Sequence, residues 1–177
     1  MNNFTECYEY SMGARKQFDA SVILKFMPNG ATVEKTDTSL DKQGVDYIVT
    51  LKDGSTVTID AKTRKLGAGR YWHGEPELCL ERYSVVEEKK VGWLFKDSPV
   101  HPDYIIYTFD KSDTDKFYIF PYVLLRKAAY VNWKLWERRY GIRRQGNTSH
   151  GGYNSDAIFV PASVLIRAVS AQMEGTA

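Results

Sequence analysis

Apolar residues at Ala14, Phe18, Val22 and Phe26, with Ile23 and Leu24 beside them, recur at helical spacing and predict an amphipathic helix over residues 11–27. Pro28-Asn29-Gly30 stops it, and residues 31–35 read as a short strand. Residues 45–51 (VDYIVTL) are β-branched and aromatic, and residues 56–61 (TVTIDA) alternate in the same way. Lys52-Asp53-Gly54-Ser55 between them carries Asp-Gly, so the two runs read as a β-hairpin. Residues 64–76 are basic and Gly-rich and read as an exposed loop. Further strands are expected over 78–86, 104–109 and 117–120. Leu124, Ala128, Val131, Leu135 and Trp136 predict a long helix over 123–140. Residues 141–156 read as a Gly/Asn/Ser-rich loop, and Pro161 opens a last helix over 162–173. The order of elements implies one α/β (or α+β) domain spanning the chain, a mixed sheet flanked by helices with a helical C-terminal segment.

Composition narrows the class. A chain of 177 residues with 43% hydrophobic and 26% charged residues can bury a core without disulfides or a structural metal, which excludes disorder and a coiled coil as descriptions of the whole. Cys7 and Cys79 are far apart and form neither a disulfide framework nor a zinc site. The first ten residues lack the basic and apolar regions of a signal peptide, and no apolar run suffices to span a membrane. The expectation is a soluble, cytoplasmic protein. The formal net charge of +2 conceals an uneven distribution. Residues 126–144 alone carry +6, from Arg126, Lys127, Lys134, Arg138, Arg139, Arg143 and Arg144 against Glu137. Such a segment can neutralise phosphates. Tyr130, Trp133, Trp136 and Tyr140 are interleaved with it, and the Trp residues are assigned to packing. Arg64, Lys65 and Arg70 offer a second cluster of phosphate contacts. His73, His101 and His150 are scattered and read as surface residues.

The hairpin carries the candidate chemistry. Asp46 opens its first strand, and Asp60 and Lys62 end the second. Antiparallel pairing returns Asp60 beside Asp46 on strands about 5 Å apart. Asp60 and Lys62, two apart on a strand, share a face. Two carboxylates and an ammonium converging on one spot suit Mg²⁺ bound through carboxylates, phosphate and water. The Lys can position or deprotonate a water, or stabilise charge in the transition state. The D/E-x-K spacing itself is weak, because it recurs at Glu87–Lys89 and Glu88–Lys90 in a solvated charge run.

Residues 44–64 (GVDYIVTLKDGSTVTIDAKTR) resemble the core of the PD-(D/E)XK nuclease superfamily, which includes restriction endonucleases and archaeal Holliday-junction resolvases. Val45 stands where the family name has Pro. The resemblance implies a restriction-endonuclease-like fold and a Mg²⁺-dependent (or Mn²⁺-dependent) DNA endonuclease, resolvase-like or of phage or mobile-element type. It implies that Asp46 and Asp60 hold the metal with the Ala61 carbonyl, and that Lys62 orients the water. Resolvase-like members carry a further acid on the preceding helix; Asp19 matches best, with Glu6 and Glu9 as alternatives and Glu81 as another acidic member. A homodimer is implied by analogy alone. The competing expectations are a catalytically inactive nucleic-acid-binding or regulatory module on the same fold, and an interaction domain with no nucleic-acid role.

Overall fold

The computed structural model of the chain describes residues 20–65, 71–72, 74–110, 117–147 and 152–175. The chain divides into two compact units, Met1–Leu66 with Ser98–Tyr122, and Gly67–Asp97 with Val123–Ala177.

In the first unit, residues 20–24 are helical (α1) and lead to strand β1 (Thr32–Lys35), the short helix α2 (Thr38–Gln43), and strands β2 (Tyr47–Thr50) and β3 (Thr56–Lys65). Two more strands, β7 (Tyr104–Asp110) and β8 (Phe117–Pro121), complete a mixed sheet of order β1-β2-β3-β7-β8. The β3–β7 pairing is parallel and the other pairings are antiparallel. The predicted hairpin is thus the middle of a sheet. Its turn closes as the Asp-Gly signal requires, with the Asp53 carboxylate accepting from the Ser55 N–H at 2.9 Å.

Side chains alternate across β3. Ile59 and Ala61 enter a core with Val22 and Ile23 of α1, Tyr47 and Val49 of β2, and Ile106 of β7. Asp60 and Lys62 therefore take the opposite face. Asp103 fixes the start of β7 beside β3: its Oδ2 accepts from the Thr58 N–H at 2.7 Å and hydroxyl at 2.8 Å.

The second unit contains β4 (Tyr71–Trp72), β5 (Glu75–Val85), β6 (Lys90–Val91), the helix α3 (Tyr122–Tyr140, whose first residue belongs to the other unit), β9 (Arg143–Asn147), β10 (Tyr153–Pro161) and α4 (Ala162–Glu174). Its sheet runs β4-β5-β10-β9, with β6 on β5. Three expectations are corrected here. Within the span expected to be loop, residues 143–147 form β9 and residues 153–156 start β10, whose apolar run Ala157–Val160 is buried beside β5. Residues 64–76 are not all loop either: β3 continues to Lys65, and β4 and β5 occupy residues 71–72 and 75 onward. The long helix exists and buries its Trp residues as expected, together with Ala128 of the expected row, but Val131 and Leu135 of that row are left outside. Leu125, Ala128, Ala129, Trp133, Trp136 and Tyr140 are inside, and Val131 and Leu135 face solvent. The Trp and Tyr rings offer more apolar area than the aliphatic row, so they take the core.

The chain is thus α/β, with a mixed sheet, flanking helices and a C-terminal helix. No helix among the described residues is long and apolar enough to cross a membrane.

Candidate active site

The segment before β2 sets the position of Asp46. Asp37 caps α2, its Oδ1 accepting from the N–H groups of Ser39 and Leu40 at 2.9 and 3.0 Å. Gly44 ends the helix at φ 96°, a left-handed conformation that a side chain resists. The reversal sends Val45 into the core and places Asp46 at the mouth of β2. There the Asp46 N–H donates to the Ile59 carbonyl at 2.9 Å, continuing the register that pairs Tyr47 with Ile59. The expected juxtaposition of Asp46 with the Asp60 end of β3 therefore follows from the ladder.

The side chains meet. Asp46 Oδ2 accepts from the Ala61 N–H at 2.8 Å. Lys62 Nζ donates to Asp60 Oδ1 at 2.7 Å, which bears out the shared face of these two residues. Asp60 is only 3% exposed. A carboxylate that deep is stable only beside compensating charge, and Lys62 supplies it. Behind the pair, the hydroxyls of Thr63 and the buried Thr108 hydrogen bond across β3 and β7 at 2.9 Å.

A third carboxyl joins the group. Burial and a hydrogen bond to Asp46 push the Asp41 carboxyl of α2 up from its ordinary value, while Lys35 and Lys62 oppose the shift. Burial, followed by the charge of Asp60, pushes the Asp46 carboxyl up in the same way, against the pull of Lys62. Asp41 is not among the site residues expected from the sequence. The signal for it was present in Asp37 as a helix cap and Gly44 as a helix stop, which bracket a one-and-a-half-turn helix. Among the described residues, no group of three or more His, Cys, Asp or Glu is arranged to hold a metal ion.

These shifts set a pH dependence. The folded Asp46 carboxyl holds its proton above the ordinary 3.8, so the folded state binds more protons than the unfolded one in that window. Its contribution to stability is full below 3.8 and is lost as pH rises through the raised value. Thermal melts in EDTA across that range should show the wild type losing more stability with rising pH than Asp46→Asn. Parallel melting curves for the two would refute the coupling.

The other expected site residues fall into three groups. Asp19, Glu6, Glu9 and Arg70 lie outside the described residues, as do the side chains of Arg64 and Lys65, whose backbones end β3. Arg126, Arg143 and Arg144 are engaged by acids of this chain. Arg126 meets Asp97 at 2.7 Å, and the Arg143 guanidinium forks onto both oxygens of Glu77 at 3.2 and 3.3 Å. Arg144 forks onto Asp156 at 2.9 and 3.0 Å and holds that carboxyl below the usual range. Lys134, Arg138 and Arg139 stand exposed on α3. Glu81 lies on β5 in the second unit, opposite Ala157 of β10, and its backbone approaches Gly92 so closely that a Cβ there would sit 2.6 Å from the Glu81 carbonyl oxygen.

No protein-family model, curated protein or solved structure matches the chain.

Proposed function

We propose that the chain is a divalent-metal-dependent DNA endonuclease of the PD-(D/E)XK type, with the restriction-endonuclease-like fold that this implies. The observation that carries the reading is the convergence of Asp46, Asp60 and Lys62 at one end of the β2–β3 pair, on a hydrogen-bonding scaffold that includes the Ala61 N–H. The chemistry of the donor set fits Mg²⁺. Burial, and after it the charge of Asp60, raise the Asp46 carboxyl, so a cation can take the place of the retained proton. Asp46, Asp60 and the Ala61 carbonyl would hold the ion, with Mn²⁺ as a substitute. Bound there, such an ion would offer Lewis-acid stabilisation of charge on the phosphoryl group and would lower the pKa of water.

The protein's own groups do the positioning. Asp60 keeps the Lys62 ammonium at the site by a 2.7 Å ion pair, so that it faces the phosphate and the attacking water. The ammonium can then orient that water and offset negative charge as the phosphodiester bond breaks. Asp46 is held by the Ala61 N–H and hydrogen bonds to the neighbouring Asp41 and Asp60 carboxyls, so a cation bound here would replace the proton shared among them. The exposed cations Lys134, Arg138 and Arg139 supply contacts to the nucleic-acid backbone.

The test is a cleavage assay with the purified chain in Mg²⁺, Mn²⁺ or EDTA, on plasmid, four-way-junction and single-stranded DNA. Cleavage in either metal and none in EDTA is expected. Binding with no metal-dependent cleavage would overturn the catalytic reading and favour a nucleic-acid-binding module.

A further inference from the structure

Helix α3 has two apolar faces and buries only one. On the outward side Val123 is 71% exposed, Tyr130 58%, Val131 68% and Leu135 52%. At 100° per residue these four lie on one arc of roughly 140°, and Lys127, Lys134 and Arg138 fall between them on the same arc. These three cations make no ion pair among the described residues. A solvated helix face is normally polar throughout, so four large apolar side chains here call for a partner.

The mixture narrows what that partner is. A second copy of the same face would set cations against cations with no acid between them. Duplex DNA offers phosphates to the cations but keeps its bases stacked inside, and so gives little to Val123, Val131 or Leu135. An unpaired strand presents both parts at once: phosphates for Lys127, Lys134 and Arg138, and base faces for the apolar row. Tyr130 is already fixed as a platform. Its ring forms a T-shaped pair with Phe95 at a centroid distance of 4.9 Å, the Arg126 guanidinium lies over it 5.7 Å from the centroid, and 58% of the residue is still exposed. An aromatic ring held in place on a basic face stacks a base at low entropic cost.

We propose that the outward face of α3 binds a single-stranded segment of nucleic acid. Tyr130 stacks a base, Val131 and Leu135 cover its neighbours, and Lys134 and Arg138 take the phosphates. This rests on the nucleic-acid reading above and specifies the substrate class: DNA with unpaired nucleotides.

The test is fluorescence anisotropy of the full chain in EDTA with a labelled dT20 strand and a labelled 20-base-pair duplex at matched salt. The single strand should bind more tightly. Tyr130→Ala should weaken dT20 binding about tenfold and leave the duplex unaffected. Lys134→Glu with Arg138→Glu should weaken binding of dT20 and lower its salt slope by about two. Thermal melts establish that each variant is folded; if Tyr130→Ala melts early, Tyr130→Ser and Leu135→Ser replace it. Equal or tighter duplex binding, or an unchanged dT20 affinity in the Tyr130 variants, would overturn the proposal. So would binding of neither probe, an outcome that leaves the face to a protein partner. Cleavage without strand binding would remove this proposal and keep the nuclease, and strand binding without cleavage would do the reverse.

Discussion

Lys62→Ala should lower metal-dependent cleavage by at least about 10³-fold, the combined weight of water orientation and charge stabilisation at one group. Single-turnover cleavage of the DNA form that the wild type cuts fastest measures it, with circular dichroism confirming the fold. Asp60→Asn should lose a comparable factor by a different route. Its amide cannot hold Lys62 by charge, and it offers a cation a weaker ligand. The two losses should not add in the double variant, since each residue acts through the other across the 2.7 Å pair. A Lys62→Ala variant that cuts within tenfold of the wild type would remove Lys62 from the chemistry.

Arg143→Ala should destabilise the protein by about 3 kcal/mol, the lower end of the cost of breaking a buried ion pair. The reason is asymmetry of burial. Glu77 is 2% exposed, and both its oxygens are met by the Arg143 guanidinium, which also lies 4.9 Å from the centroid of the Phe159 ring. Removing the arginine takes the bidentate partner from a carboxylate held in the core. The lower end applies because about a third of the Arg143 side chain is in water. Urea denaturation measures the shift, and Arg143→Lys should recover only part of it, since an ammonium cannot fork onto both oxygens. Arg139→Ala, on the exposed side of α3, should stay within about 0.5 kcal/mol of the wild type. Equal stability of the Arg143 and Arg139 variants would show that the Glu77 pair is not structural.

What was legible in the sequence was local. The Asp-Gly turn, the alternation on either side and the return of Asp60 to Asp46 all lie within about twenty residues, and the ladder reproduces them. What was hidden was paired at long range. The partner of Arg143 lies 66 residues away at Glu77, so a charge count along 126–144 treats an internal pair as a free cation. Strand β10 opens on Tyr-Asn-Ser-Asp, polar residues that signal a loop, and it becomes a strand because β9 pairs with Tyr153–Ala157 and β5 takes over from Asp156. Asp41 was missed because its helix is too short to show a period, although its two caps were in view.

The central strand of the first unit has neighbours of very different ages during synthesis. β2 is made just before β3, whereas the clamp between Thr58 and Asp103, which seats the parallel strand β7, spans 45 residues of chain. Residues 67–97, which belong to the other unit, must emerge first. A nascent chain that has reached residue 66 therefore already carries Asp46, Asp60 and Lys62, yet one edge of β3 is bare and open to pairing with another chain. The order of translation makes β7 both the last wall of the candidate site and the guard against edge-to-edge association. An expression fragment ending at that point would hold every residue of the triad and be prone to aggregate.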